Sequence, residues 1–379
     1  MNFIKIFIVS SLLKLQNFIL LFLQKIIWRY KPNKVKNILI YKVGNIGDIV
    51  TSYPAIRLMR LKYPNAKIDL LTSAGSTFRK WHSAASLLKS QKIVDKIIFY
   101  SDGNIFSLFP EIRYANYDLC FYMSDSRTHF MREVRKLIFF SLLKIRYVFG
   151  FSVSSIGFFR NSYAKKIPYP YINEVDRYLN VIQISKKNNE DLFTYNQNGS
   201  LKIQKKMEKI NNSLTIATGA KWNKKKWDLN NFFQIAKLWL ENRGDIIFVG
   251  NADDRIDAEK IINKINKYYA NSSSILNYRY YNFCNETTLE ETIYIIEKSA
   301  VMIANDSGPA HLSSFTKTKV VTIQAPQDFK LKWDPYLSRD FVLRPQRKDV
   351  CNCTKNTCGL CINDITPNLA WEKINSILN

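Results

Sequence analysis

The chain of 379 residues carries 56 basic residues against 31 acidic ones, a net charge of +25, and is 46% hydrophobic. That length suits two domains rather than one, and the composition excludes a wholly disordered chain. No internal repeat or sustained heptad is present, which excludes solenoids and coiled coils.

Residues 1–36 hold seven basic residues (Lys5, Lys14, Lys25, Arg29, Lys31, Lys34, Lys36) and no acid. The uninterrupted apolar run Phe18–Leu23 is far shorter than the roughly 20 residues a bilayer span needs. Neither a clean apolar core nor a small-residue cleavage site marks a signal peptide. On a helix, Ser10, Lys14, Asn17 and Gln24 fall along one narrow stripe and leave a wide apolar face. An amphipathic helix over residues 1–35, lying on a membrane surface, is the expectation. The alternative is a helix packed on the protein's own core.

Lysine outnumbers arginine 39 to 17. Sequence-reading nucleic-acid binders lean on arginine's fork, so the charge points elsewhere: to an anionic membrane surface, to phosphorylated ligands, or simply to a lysine-rich composition.

After this segment the pattern alternates. Lys36–Lys42 reads as a strand, Ile49–Tyr63 as a helix and Ile68–Leu71 as the next strand. Further strands are predicted at Lys96–Tyr100, Asp118–Met123 and Tyr147–Phe149, and a helix at Glu174–Ser185. A second series follows the polar stretch Lys186–Ser200. Its strands are Leu214–Thr218, Asp245–Val249, Val301–Ala304 and Lys319–Ile323, and its helices Leu229–Glu241, Asp257–Tyr268 and Leu289–Ser299. Alternation of this kind predicts parallel βαβ units. Two Rossmann-like halves result, at residues 36–200 and 201–345, with a ligand cleft expected between them and a tail over 346–379.

Three segments carry chemistry. Val43-Gly44-Asn45-Ile46-Gly47-Asp48 joins the first strand to its helix, and Gly44 and Gly47 let backbone N–H groups approach a ligand. Asp48 is either the helix cap or a carboxylate base. Asn305-Asp306-Ser307-Gly308-Pro309-Ala310-His311 follows a strand, Pro309 suits a first helical turn, and Gly308 permits close approach. Thr218-Gly219-Ala220-Lys221-Trp222-Asn223-Lys224-Lys225-Lys226-Trp227 follows another, with lysines that can clamp phosphates or form a solvated basic loop.

In this order the three segments resemble glycosyltransferase family 9, the lipopolysaccharide heptosyltransferases of GT-B fold. Matching stretches are residues 38–72, 218–227, 287–312 and 358–367. The resemblance implies an ADP-heptose donor, a lipid-linked saccharide acceptor, inversion at the anomeric carbon and no metal in catalysis. It also implies Asp48 as the base, Lys226 as a phosphate contact, and Thr218, Gly219, Asp306, Ser307, Gly308 and His311 as the donor site. Asp228, where a proline often follows Lys-Trp, and Gln324-Ala325-Pro326, in place of Phe-Gly-Pro, depart from the family pattern.

Cys351, Cys353, Cys358 and Cys361 crowd together as C-x-C-x4-C-x2-C, which reads as a structural zinc site, as reduced thiols, or as a disulfide formed under oxidation. Cys120 and Cys284 read as isolated core residues. The sequence thus predicts an inverting glycosyltransferase on the inner leaflet of the cytoplasmic membrane, with no nucleic-acid partner. The alternatives are a GT-B enzyme using a UDP-sugar for another surface glycan, and a membrane-bound scaffold without turnover.

Overall fold

The computed structural model describes residues 2–73, 84–100, 105–124, 128–153, 173–183, 190–196, 199–270, 279–325, 330–345 and 361–379. The chain divides into two compact units, Met1–Leu192 and Phe193–Asn379.

The first unit is built on a five-stranded parallel sheet of β1 (Asn37–Lys42), β2 (Lys67–Ser73), β3 (Lys96–Tyr100), β4 (Leu119–Met123) and β5 (Tyr147–Phe149), in the order β3-β2-β1-β4-β5. Its helices are α1 (Asn2–Ile27), α2 (Ile46–Lys62), α3 (Ala85–Ser90), α4 (Phe109–Tyr114), α5 (Phe130–Leu142) and α6 (Glu174–Ile182). β1 and β4 are buried along almost their whole length, as strands covered on both faces must be. Their Ile, Leu, Phe and Tyr content follows from that burial.

The second unit has a six-stranded parallel sheet in the order β11-β10-β9-β6-β7-β8. The strands are β6 (Leu214–Ala217), β7 (Ile246–Phe248), β8 (Tyr280–Asn282), β9 (Val301–Asn305), β10 (Val320–Ile323) and β11 (Val342–Leu343). Helices α7 (Leu201–Met207), α8 (Leu229–Asn242), α9 (Ala252–Ala270), α10 (Leu289–Lys298), α11 (Gly308–Leu312) and α12 (Pro367–Leu378) complete it. Trp227, Phe232, Trp239, Ile303 and Ile374 are among its fully buried core. The chain's last helix closes that core: Trp371 of α12 meets Trp239 of α8 edge to face, with centroids 6.4 Å apart. Aromatic pairs of this kind add about 0.5–1.5 kcal/mol beyond their buried area.

Every strand read from the sequence is present within a residue or two. The helix expected at Asp257–Tyr268 starts earlier, at Ala252, because Asn251 Oδ1 takes the N–H groups of Asp253 and Asp254 and so caps it. The short strands β8 and β11 and the helix α7 are additions. β8 (Tyr-Tyr-Asn) and β11 (Val-Leu) lack the apolar run that marks the equally short β5 and β7.

The expected N-terminal helix is present as α1, ending at Ile27. Against expectation, its Phe7–Ile27 stretch is by length and composition long and apolar enough to cross a membrane. Isolated polar residues interrupt the apolar run without ending the helix. Leu13, Leu20 and the following Trp28 are buried in the first unit's core.

Candidate functional site

In each unit the sheet reverses its direction of growth beside its first strand. The switch lies between β1 and β4 in the first unit and between β6 and β9 in the second. Loops leaving the carboxyl ends of strands at such points are the usual ligand sites of open α/β sheets. Val43–Asn45 leaves β1, and the segments starting at Thr218 and Asp306 leave β6 and β9.

In the first unit, Asp48 sits in the first turn of α2, and its Oδ2 accepts the N–H of Asn45 at 2.8 Å. Gly44 is required here. Its φ is +152°, and a Cβ would lie 2.3 Å from Asp48 Cβ. The other carboxylate oxygen stands 3.8 Å from Nζ of Lys42, and the Asp48 side chain keeps 23% of its exposure. One oxygen is therefore spent on the turn, and the other faces a cation and solvent.

Lys42, the residue that ends β1, is fully buried. Its ammonium donates to the Val43 carbonyl at 3.1 Å and lies 4.9 Å from the centre of the Tyr178 ring. Burial opposes its charge, but the Tyr178 and Asp48 neighbours outweigh that penalty and hold its pKa above the ordinary lysine value. Tyr178 is itself pushed upward by burial, against the pull of the Lys42 and Arg177 cations. Its neighbour Arg177 is tied to Glu174 at 2.8 Å and to the Ser124 carbonyl at 2.8 Å, which fixes α6 over the loop. Nothing in the sequence marks this lysine as enclosed; the packing of Tyr178 of α6 does.

In the second unit, Asn305 at the end of β9 joins three segments. Its amide donates to the Thr218 carbonyl at 2.6 Å and accepts the N–H of Trp227 at 3.0 Å. That brings Thr218, the lysine loop and the Asp306 turn together. Asp306 Oδ2 accepts from Lys225. The Ser307 hydroxyl is buried with no hydrogen-bond partner among the described residues. Buried hydroxyls are nearly always paired, so an orphan at a switch point is a place for a ligand oxygen. His311 is buried, its ring 6.4 Å from that of Trp333 and nearly perpendicular to it. Close by, Asp334 is tied to Arg344; burial pushes its carboxyl upward against the pull of that guanidinium.

Lys226, expected at the phosphates, is paired with Asp257 at 3.0 Å. Lys225 is the lysine that reaches Asp306. Adjacent residues at the end of the 3-10 turn Asn223–Lys225 point different ways, which a run of lysines does not reveal. Gly219 serves close packing: a Cβ there would lie 2.3 Å from the Asp254 carboxylate. Asp254, 5% exposed, accepts the N–H of Asn251 at 2.8 Å, and burial raises its pKa. Asp228 caps α8 through the N–H of Asn230, a structural use for the residue that departs from the family pattern.

Of the four clustered cysteines, Cys351, Cys353 and Cys358 lie outside the described residues, as does Pro326. Cys361 is buried in the turn Cys361–Asp364. No group of three His, Cys, Asp or Glu able to hold a metal occurs among the described residues, so the zinc expectation gains no support.

Two parallel α/β sheets, each with loops of polar and charged side chains at its switch point, define the two-unit fold of GT-B glycosyltransferases. The solved structures agree. Escherichia coli ADP-heptose lipopolysaccharide heptosyltransferase II covers 90% of this chain and 98% of its own at a TM-score of 0.63, with 18% identity. A family 9 glycosyltransferase from Veillonella parvula covers 90% and 97% at 0.68, with 13% identity. The model of glycosyltransferase family 9 (heptosyltransferase) matches residues 105–360, and the chain belongs to that family. Among curated relatives, lipooligosaccharide heptosyltransferase 2 of Campylobacter jejuni is 28% identical over 159 residues, 41% of this chain and 47% of its own. Lipopolysaccharide heptosyltransferase 3 of E. coli K12 is 21% identical over 308 residues, 76% of this chain and 82% of its own. The chain thus spans about half the length of the Campylobacter relatives it matches.

Proposed function

We propose that the protein transfers a sugar, heptose from ADP-heptose, to a lipid-linked saccharide of the lipopolysaccharide inner-core kind, with inversion at the anomeric carbon. The observation that carries this reading is the Asp306–Ser307 turn: a carboxylate, an orphan buried hydroxyl and the Lys225 ammonium meet at one switch point. Such a set suits a sugar diphosphate, whose hydroxyls pair with carboxylates and whose phosphates pair with ammonium and hydroxyl groups.

Lys225 is assigned to the diphosphate. It stabilises charge on the departing nucleotide, with Lys226 held back by Asp257. Thr218, Gly219, Gly308 and His311 shape the donor site around them. Asp48 takes the proton from the acceptor hydroxyl as its oxygen attacks the anomeric carbon. The bond to the diphosphate breaks, and its electron pair leaves with the nucleoside diphosphate. Lys42 positions the carboxylate from below, and Gly44 and Gly47 leave room beside it. The acceptor's lipid places the enzyme at the inner face of the cytoplasmic membrane.

Thermal stabilisation of the purified protein by ADP, UDP and GDP tests the donor, since ligands that bind the folded state raise stability by mass action. ADP is expected to stabilise most. Preference for UDP would replace heptose with a UDP-sugar, and no response to any nucleotide would favour a scaffold.

A further inference from the structure

α1 is inside out. Asn17 and Gln24 of its polar stripe face the protein, Lys14 is exposed, and most of its apolar side chains are turned away from the core. The Asn17 side-chain amide pairs with both the N–H and the carbonyl of Val153, each at 2.8 Å, as a neighbouring strand would. Gln24 donates to the Val148 carbonyl at 2.8 Å, and Trp28 to the Ile145 carbonyl at 2.8 Å. Val148 belongs to β5, the edge strand of the sheet. The stripe therefore closes an open sheet edge, a place where unpaired backbone groups invite unwanted pairing. Leu13 and Leu20, on the same side, enter the core.

On the opposite side, Phe7, Leu15, Phe18, Phe22 and Ile26 are all exposed, Phe7 at 73% and Phe18 at 67%. Lys14 and Lys25 are exposed along one edge of this face, and Arg29, Lys31 and Lys34 are exposed just beyond the helix. No acidic residue occurs in residues 1–36 to balance them.

We propose that this outer face of α1 lies in the plane of an anionic lipid surface while the helix stays docked on the first unit. Aromatic and aliphatic side chains enter the acyl boundary, and the flanking cations meet lipid phosphates. Length alone would also allow α1 to span a bilayer. Spanning, however, would strip Asn17, Gln24 and Trp28 from the backbone groups they satisfy and draw Leu13 and Leu20 out of the core. Each buried group left without its partner destabilises the fold. The basic flank selects an anionic surface over a second, equally basic copy of this chain. The inference rests on the proposed acceptor only for its purpose, because binding requires neither donor nor acceptor.

The test is co-sedimentation of the full chain with vesicles of phosphatidylglycerol and phosphatidylethanolamine, against vesicles of phosphatidylcholine alone, without sugar substrates. The wild type should bind the anionic vesicles, lose binding as salt rises, and leave them in alkaline carbonate. The double variant Phe18→Glu/Phe22→Glu should keep its Tm and bind at least about tenfold more weakly. Asn17→Ala should instead lower Tm. Three outcomes would overturn the proposal: vesicle binding retained by the double variant, resistance to carbonate extraction, or a dimer in lipid-free solution that the double variant dissolves. Failure of the transferase assay would leave this result standing.

Discussion

The turns after β1 and β7 share one pattern, Gly44-Asn45-Ile46-Gly47-Asp48 and Gly250-Asn251-Ala252-Asp253-Asp254. In both, the Asp accepts the N–H of the Asn at 2.8 Å, and a Cβ on the Gly would strike that Asp. Their surroundings separate them. Asp48 has a buried lysine on one side and solvent on the other. Asp254 is sealed beneath Gly219 and Gly250. The same five-residue turn therefore supplies an available carboxylate at β1's switch point and a packed one away from the switch, at β7. Local sequence specifies the turn, while position in the sheet and burial decide what its carboxylate can do.

That contrast is breakable. Asp48→Asn should fold and lose about 10²–10⁴-fold in turnover, the usual worth of a general base. Initial-rate assays with ADP-heptose and a lipopolysaccharide-core acceptor check this, and near-normal rates would leave Asp48 as a cap.

Gly44→Ala probes the same carboxylate through the backbone. Its φ and the 2.3 Å approach to Asp48 Cβ should cost about 1–3 kcal/mol of stability. Displacing Asp48 by about an ångström should lower turnover on the order of 10²-fold. Denaturant melts and kcat together check it.

Lys225→Ala should weaken ADP binding about tenfold, and Lys226→Ala by less than about threefold, since Lys226 is turned toward Asp257. Calorimetry on the two variants decides between them.

The smallest effect is expected at Asp254→Asn. Burial raises the folded pKa of Asp254, so the native chain holds its proton more tightly than the unfolded chain. Its stability contribution is full below the ordinary value of 3.8 and is lost as pH rises through the raised folded pKa. Asn removes that loss. Asp254→Asn should match the wild type in acid and gain on it, by on the order of 1 kcal/mol or less, as pH climbs toward neutrality. A wild-type advantage at pH 7 in Tm scans would contradict the burial argument.

Much of this architecture is written in the sequence, and particular residues show where the writing stops. β1, β4 and β9 are legible because the apolar runs Ile38–Tyr41, Leu119–Met123 and Val301–Ala304 suit strands covered on both faces. The Asp306–His311 segment stands out by its residue types alone. Lys42 is missed because a lysine at a strand end normally marks its exposed limit, and only the packing of α6 shows it enclosed. Periodicity finds the polar stripe of α1, yet it is the unpaired edge of β5 that decides which way the stripe turns. The choice between Lys225 and Lys226 depends on the direction of neighbouring side chains, which a basic run does not encode.

The central claim is that Asp48 acts on the acceptor's proton and not on the donor. ADP binding to the Asp48→Asn protein, measured by titration calorimetry beside single-turnover transfer, tests it most directly. Wild-type affinity for ADP with the chemical step nearly abolished is the expected result; affinity and transfer falling together, in a protein of unchanged Tm, would assign Asp48 to the donor instead.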